Sequence, residues 1–364
     1  MPLQADFCKH TLNFKFDAGT SRGVLKTKDS WFIKLWNEKT PHLFGLGEAA
    51  PLEGLSPDDR DDFEERLIRY IDTINRSEFD TQSITDRILE NEFSSFPSIT
   101  FALETAINDL IFGGIRKIFN TSFFSDQETI KINGLIWMGN EEFMTRQIKQ
   151  KLESGFETIK MKIGAIDFDT EMRLLRDVRK KFSEHQLTLR VDANGAFSPY
   201  EAREVLHELA KSKIHSIEQP IKAGNWEEMA RLCKDAFTPV ALDEELIGIS
   251  DSQKKYLLDT IKPQFLIFKP TLLGGFKQTD EWISLCKSMQ IGWWMTSALE
   301  SNIGLNSICQ YTHSQNVTLP QGLGTGQLYH NNINSPLVVE NGKIRYNPNE
   351  QWDLSLLNFR NQSN

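Results

Sequence analysis

From about residue 130 the chain alternates short apolar runs with longer stretches of helical period. The runs are NGLIWMG, TIKMKIG, LTLRVDANG, KIHSIEQP, PVALDEE, QFLIFKP, GWWMTSA and a weaker, glycine-rich PQGLGTG. Between them lie segments such as FDTEMRLLRDVRKKF and SPYEAREVLHELAKS, whose apolar residues recur every three or four positions. The second opens with Ser198, Pro199 and Glu201, which predicts a capping box with proline at the first helical position. Strand and helix alternating over about 200 residues predict a parallel sheet, and eight such units predict a closed barrel. An open doubly wound sheet is the second choice, because no G-x-G-x-x-G follows the first strand.

The preceding part has a different texture. TLNFKFD and WFIKLWN alternate with period two around the turn-forming DAGTSRG, and helical stretches follow. SPDDRDDFEERLIRYI predicts a helix with Ser56 as N-cap, Pro57 at its first position, and Asp58 to Asp62 as a solvated first turn matched to the dipole. The expected fold class is α/β: a modified TIM (β/α) barrel over 126–325 behind an N-terminal α+β capping domain over 1–125, with 326–364 packing back on the cap.

Within TIKMKIG, Thr158, Lys160 and Lys162 share one face and Ile159, Met161 and Ile163 the other. Alone, that alternation describes a half-exposed strand with its lysines in water. In a parallel barrel both faces are covered, so lysines near a strand's C-terminal end point to an active site. The other strands also end in charge: Asp192 in LTLRVDANG, Glu218 in IHSIEQP, Asp243 in VALDEE and Lys269 in FLIFKP. Each charge lies about 25–30 residues after the last, which is one βα unit. A lone strand-end acid is more often a helix cap or an ion-pair member, and Lys269 before Pro270 alone reads as a surface residue; five in register across five strands read as a site.

Neighbouring strands lie about 4.8 Å apart, so Asp192, Glu218 and Asp243 on consecutive strand ends span only about 10 Å and can converge on one ion. An all-oxygen set without His or Cys prefers a hard cation, Mg2+ first and Mn2+ second. Strands two and six of eight are opposed, so Lys162 and Lys269 should face each other across the mouth. This geometry suits removal of a proton from carbon next to a carboxylate. A free lysine near pKa 10.4 is a poor base at neutral pH, and like charges nearby, here Lys160 and the cation, bring such a group toward the working range.

Composition narrows the partners. The 364 residues carry a formal charge of −9 with no basic footprint, so no nucleic acid and no anionic membrane surface is expected, and a small-molecule carboxylate is. Cys8, Cys233, Cys286 and Cys309 form no C-x-x-C pair, MPLQADFCKH has no apolar signal core, and no run approaches the roughly 18 apolar residues that cross a bilayer. A cytoplasmic protein is the expectation. His207, His215 and His313 have no metal-ligand spacing, and GLGTG at 322–326 reads as a close-approach loop before a phosphate cradle.

KMKIG, RVDANGAF, IEQP, LDEE, FKPTLLGG and SALESNIG together resemble the enolase superfamily, in its muconate lactonizing enzyme subgroup. AGTSRG (18–23) and GEAAPLEG (47–54) resemble the capping loops that close that active site, so the likeness covers nearly the whole chain. The resemblance implies that Lys162 is the base, Lys269 the opposing cation and Lys160 an auxiliary one, that Asp192, Glu218 and Asp243 hold the metal, and that Arg190, Asn194 and Ser297 touch the substrate. Within the subgroup it favours the dehydratases of menaquinone biosynthesis, with Lys162 taking the α proton and returning it to the departing hydroxide. Dipeptide epimerases and N-acylamino acid racemases are the competing members. The former place an Asp-x-Asp after the eighth strand, where this chain has GLGTGQLY; the latter need no such pair. A noncatalytic binding protein on the same barrel is a third reading.

Overall fold

The computed structural model describes residues 2–20, 23–89, 95–164, 166–235 and 237–359. Ser21 and Arg22 of the AGTSRG loop fall outside them. Three antiparallel strands come first, β1 (Leu3–Thr20), β2 (Gly23–Asn37) and β3 (Phe44–Ala49), then the helices α1 (Phe63–Arg76), α2 (Thr81–Leu89) and α3 (Pro97–Ile111). One face of the sheet meets α1 and α3 in a core that includes Ile33, Leu35, Leu67, Ile71, Ala102 and Ala106. Helix α3 lies so close to β3 that a Cβ at Gly45 or Gly47 would collide with the main chain of Ala106 or Ala102.

The helix expected from Ser56 starts later. Residues 56–62 form turns, the Ser56 hydroxyl accepts from the Leu52 N–H at 2.7 Å, and Asp62 takes the N-cap position of α1. Asp58 is buried, not solvated: its carboxylate accepts from the Ser98 N–H at 2.8 Å and the Ser98 hydroxyl at 2.5 Å. Phe96, the N-cap residue of α3, has no acceptor of its own, so Asp58 satisfies that helix end from a distant loop. Burial raises the Asp58 carboxyl to about 6, against the lowering effect of the Ser98 hydrogen bonds. Asp58→Ala strands the Ser98 donors and is expected to cost about 1–3 kcal/mol, read as a lower urea midpoint at unchanged m-value.

After the short β4 (Ile130–Lys131), strands and helices alternate: β5 (Gly134–Ile136), α4 (Glu141–Glu153), β6 (Thr158–Lys162), α5 (Phe168–Lys181), β7 (Thr188–Asp192), α6 (Pro199–Lys211), β8 (Ser216–Glu218), α7 (Trp226–Lys234), β9 (Val240–Leu242), α8 (Asp251–Ile261), β10 (Phe265–Phe268), α9 (Pro270–Leu273), α10 (Gly275–Met289), β11 (Gly292–Met295) and α11 (Asn302–Ser314). Strands β5 to β11 form one parallel sheet in chain order. The eighth place is held by Gln321 and Gly322 alone, which bridge Ile132 on one side and Thr296 on the other and so close the ring. A Cβ on Gly322 would collide with Thr296, the physical reason for a glycine at the seam. The capping box of α6 forms with both reciprocal hydrogen bonds.

Strand β13 (Lys343–Tyr346) pairs with β12 (Leu337–Glu340) on one side and β4 on the other, while Ile333 and Leu357 pack on Cys8, Phe32 and Leu46 of the N-terminal sheet. That sheet also grips the barrel through Glu48 of β3, which is fully buried. Its carboxylate accepts from the Ser30 hydroxyl (2.7 Å) and, across the interface, from Ser301 N–H (2.8 Å), Ser301 Oγ (2.5 Å) and Gly304 N–H (2.9 Å) at the start of α11. Among the described residues, no helix is long and apolar enough to cross a membrane.

Candidate active site

Every residue of β6 is buried, so both lysines of KMK point into protein. Register then assembles the site: Lys162 lies beside Asp192 on β7, and Asp192 beside Glu218 on β8. Asp243 follows β9 directly and Lys269 follows β10 directly. With the sheet in chain order, the ends of β6 and β10 stand four places apart in a ring of eight, so Lys162 and Lys269 occupy opposite sides.

The lysine ammoniums sit among the acids. Lys160 Nζ lies 3.0 Å from Asp192 Oδ2 and 2.6 Å from Glu218 Oε2, bridging the two carboxylates. Lys162 Nζ lies 3.0 Å from Asp192 Oδ2 and donates at 2.6 Å to Asn194 Oδ1, with its charge 5.8 Å from the Trp137 ring centroid. Lys269 Nζ is paired with Asp243. Burial alone would raise the Asp192 carboxyl, but Lys160 and Lys162 outweigh it and hold Asp192 well below the usual carboxylate range. For Glu218, burial and the neighbouring Asp192 charge push the pKa well up. Burial would lower Lys160, yet Asp192 and Glu218 overcome it and keep the ammonium charged. Lys269 is raised in the same way, against burial, by Asp243, Glu244 and Glu218.

Among the described residues no three His, Cys, Asp or Glu side chains are drawn together as a ready-made metal cage, since lysines lie between the acids. The residues nevertheless fit a hard divalent cation. A positive charge already bridges Asp192 and Glu218, Glu218 Oε1 is buried without a hydrogen-bond partner, and the donors are all carboxylate oxygen.

A cavity of about 590 Å³ opens over these groups. Lys160, Lys162, Asp192, Asn194, Glu218, Lys269 and Ser297 line its charged floor, and Phe16, Leu25, Leu52, Trp137 and Leu299 are among its apolar walls. The cap contributes Phe16, Leu25 and Leu52, so both layers of the protein meet here. Ser297 Oγ shares a 2.6 Å hydrogen bond with Thr325 Oγ1. Arg190 lies elsewhere than expected. It does not line the cavity; its guanidinium rests 3.9 Å from the Trp294 ring centroid and donates to the Pro320 carbonyl at 2.8 Å. Arg190 is in register with Lys160 on β6, but its guanidinium is held by the Trp294 ring and the Pro320 carbonyl rather than turned to the cavity.

A family model described as "Enolase C-terminal domain-like" matches residues 144–349. An o-succinylbenzoate synthase from Desulfotalea psychrophila is 44% identical over 94% of this chain and 98% of its own. The chain belongs to the enolase superfamily and, within it, to the o-succinylbenzoate synthase family. A solved structure of MenC from Desulfotalea psychrophila superposes with a TM-score of 0.84 at 39% identity, covering 95% of this chain and all of that one. Muconate lactonizing enzyme from Pseudomonas fluorescens, at 18% identity, shares the fold with a TM-score of 0.83 over 98% of both chains.

Membership of the family directs attention to residues that strand-end charge alone does not single out. Gln219, in the left-handed region at φ 40°, accepts from Asp243 N–H (3.2 Å) and Glu245 N–H (3.3 Å) and donates to Glu245 Oε2 (3.1 Å), fixing the main chain that carries Asp243. Trp137 lies just past β5 as a wall of the cavity. Gln219 was legible only as the Q of IEQP, and Trp137 only as one apolar residue in NGLIWMG.

Proposed function

We propose that this chain is a metal-dependent o-succinylbenzoate synthase: it dehydrates 2-succinyl-6-hydroxy-2,4-cyclohexadiene-1-carboxylate to 2-succinylbenzoate and water, in the cytoplasm, as a step of menaquinone biosynthesis. The observation that carries the reading is the pair of lysines on opposed strand ends, facing one cavity lined by Asp192 and Glu218, with Asp243 paired to Lys269. The 44% identical relative supports dehydration as the reaction.

Asp192, Glu218 and Asp243 would hold the cation, Mg2+ or less preferably Mn2+, and a cation bound there supplies charge to orient the substrate carboxylate and stabilise the negative charge that develops on it. Lys160 and Lys269 would shift from the acids to make room. Lys162 Nζ removes the proton α to the carboxylate, breaking the C–H bond and leaving its electron pair conjugated with the carboxylate. That pair then forms the last ring double bond as the C–O bond of the allylic hydroxyl breaks on the same face. Lys162 returns its proton to the departing hydroxide, which leaves as water. Lys269 supplies a fixed positive charge on the other face of the ring. The apolar walls Phe16, Leu25, Leu52 and Leu299 suit a carbocyclic ring, and Ser297 on the cavity floor would meet substrate oxygen.

The test is conversion of the cyclohexadiene carboxylate, followed by loss of diene absorbance. Rapid α-deuterium exchange into N-succinyl amino acids or dipeptides without dehydration would replace this reading with a racemase or epimerase. A dipeptide substrate is disfavoured by GLGTGQLY at 322–329, which offers no acid for a free amine. Lys269→Ala is expected to slow dehydration without abolishing it, because its charge assists rather than moves the proton. In a racemase the same change would stop interconversion of the enantiomers while leaving α-deuterium exchange in the one enantiomer that Lys162 serves.

A further inference from the structure

Asn194 lies two residues past the end of β7 in the left-handed region, at φ 44°, a conformation that asparagine tolerates better than other non-glycine residues. Its N–H donates to Asp192 Oδ1 at 3.0 Å, which ties the turn to the strand end. Its side-chain amide is engaged from both sides. The oxygen accepts from Lys162 Nζ at 2.6 Å, and the nitrogen donates to Glu244 Oε1 at 3.0 Å. Glu244 follows Asp243, belongs to the 3-10 turn Glu244–Leu246, and does not line the cavity.

An amide presents an acceptor on one side and a donor on the other, so the partner on its far side decides which faces the lysine. A carboxylate accepts only, so Glu244 holds the nitrogen and turns the oxygen toward Lys162. The reverse orientation would direct an N–H at Lys162 Nζ. Once that amine is neutral, the N–H would occupy the lone pair that must take the substrate proton. We infer that Glu244 is a positioning residue: through Asn194 it holds the Lys162 amine by an acceptor and keeps its lone pair directed into the cavity. This inference rests on Lys162 being the base, and it moves Asn194 from contacting substrate to aiming the amine.

Glu244→Ala is tested by kcat and KM for dehydration together with Mn2+ affinity of the same protein, measured from the electron paramagnetic resonance of free Mn2+. Misaiming a base costs about tenfold to a hundredfold in rate. The expected result is that loss in kcat, with KM and Mn2+ affinity changed by no more than about twofold. Glu244→Gln, whose carbonyl still accepts from the Asn194 amide, should recover most of the rate. The double variant Asn194→Ala/Glu244→Ala should be no slower than Asn194→Ala. An unchanged kcat, a loss confined to KM or Mn2+ affinity, a glutamine variant as slow as alanine, or multiplicative losses in the double variant would each overturn the inference. Full turnover by Lys162→Ala would instead overturn the assignment of the base, so the two failures are distinguishable.

Discussion

Lys162→Ala is expected to lower dehydration turnover by about a hundredfold to ten-thousandfold, the range for a general base, while far-UV circular dichroism and thermal midpoint change little. The separation of activity from stability follows from the site's charge pairing. Asp192 receives two ammoniums, and when Lys162 is removed Lys160 still sits 3.0 Å from its Oδ2. No buried carboxylate is left bare, so the large penalty of an orphaned charge does not arise. Lys160 cannot replace the missing base, since it is held charged between Asp192 and Glu218, two residues deeper on the strand. Diene absorbance and a melting curve on one preparation decide the matter. Retained turnover would remove Lys162 from the reaction.

The second large effect is metal removal. Chelation by EDTA is expected to abolish turnover, with Mg2+ restoring it and Mn2+ doing so less well, because the charge that develops on the substrate carboxylate would otherwise have only lysines to meet it. The fold should survive. Without a divalent ion, Lys160 compensates Asp192 and Glu218, and Lys269 compensates Asp243. Chelated protein should therefore keep a cooperative melt, with the midpoint rising as Mg2+ is added in proportion to the logarithm of its concentration over Kd. Full turnover in excess chelator would overturn the metal assignment; loss of the cooperative melt would show that the lysines do not compensate the acids.

How far these residues were legible in sequence depended on whether their roles were set by period or by tertiary contact. A two-residue period and one βα unit per charge locate Lys162, Asp192, Glu218, Asp243 and Lys269 on the correct strand ends, because parallel register carries that regularity directly into space. Arg190 obeys the same period, and the family resemblance makes it a substrate contact; its side chain instead meets Trp294 and the Pro320 carbonyl, long-range partners that the strand period does not contain. Ser56 and Pro57 carry a sound local start signal, yet the chain uses Asp58 to satisfy Ser98, a long-range partner that no window around residue 56 contains. The eighth strand was faint because only Gln321 and Gly322 take part in it. Glu244 has no periodic signature at all, since its relation to Lys162 passes through a side-chain amide.

Glu48 has a consequence for how such a protein can change its selectivity. The carboxylate fastens the two layers by holding main-chain and hydroxyl donors at Ser301 and Gly304, whereas the N-terminal layer's apolar contribution to the cavity wall includes Phe16, Leu25 and Leu52. Attachment and cavity lining are thus vested in different atoms. Mutational drift can rewrite that lining while the fastening stays in place, leaving the strand-end charges beneath undisturbed.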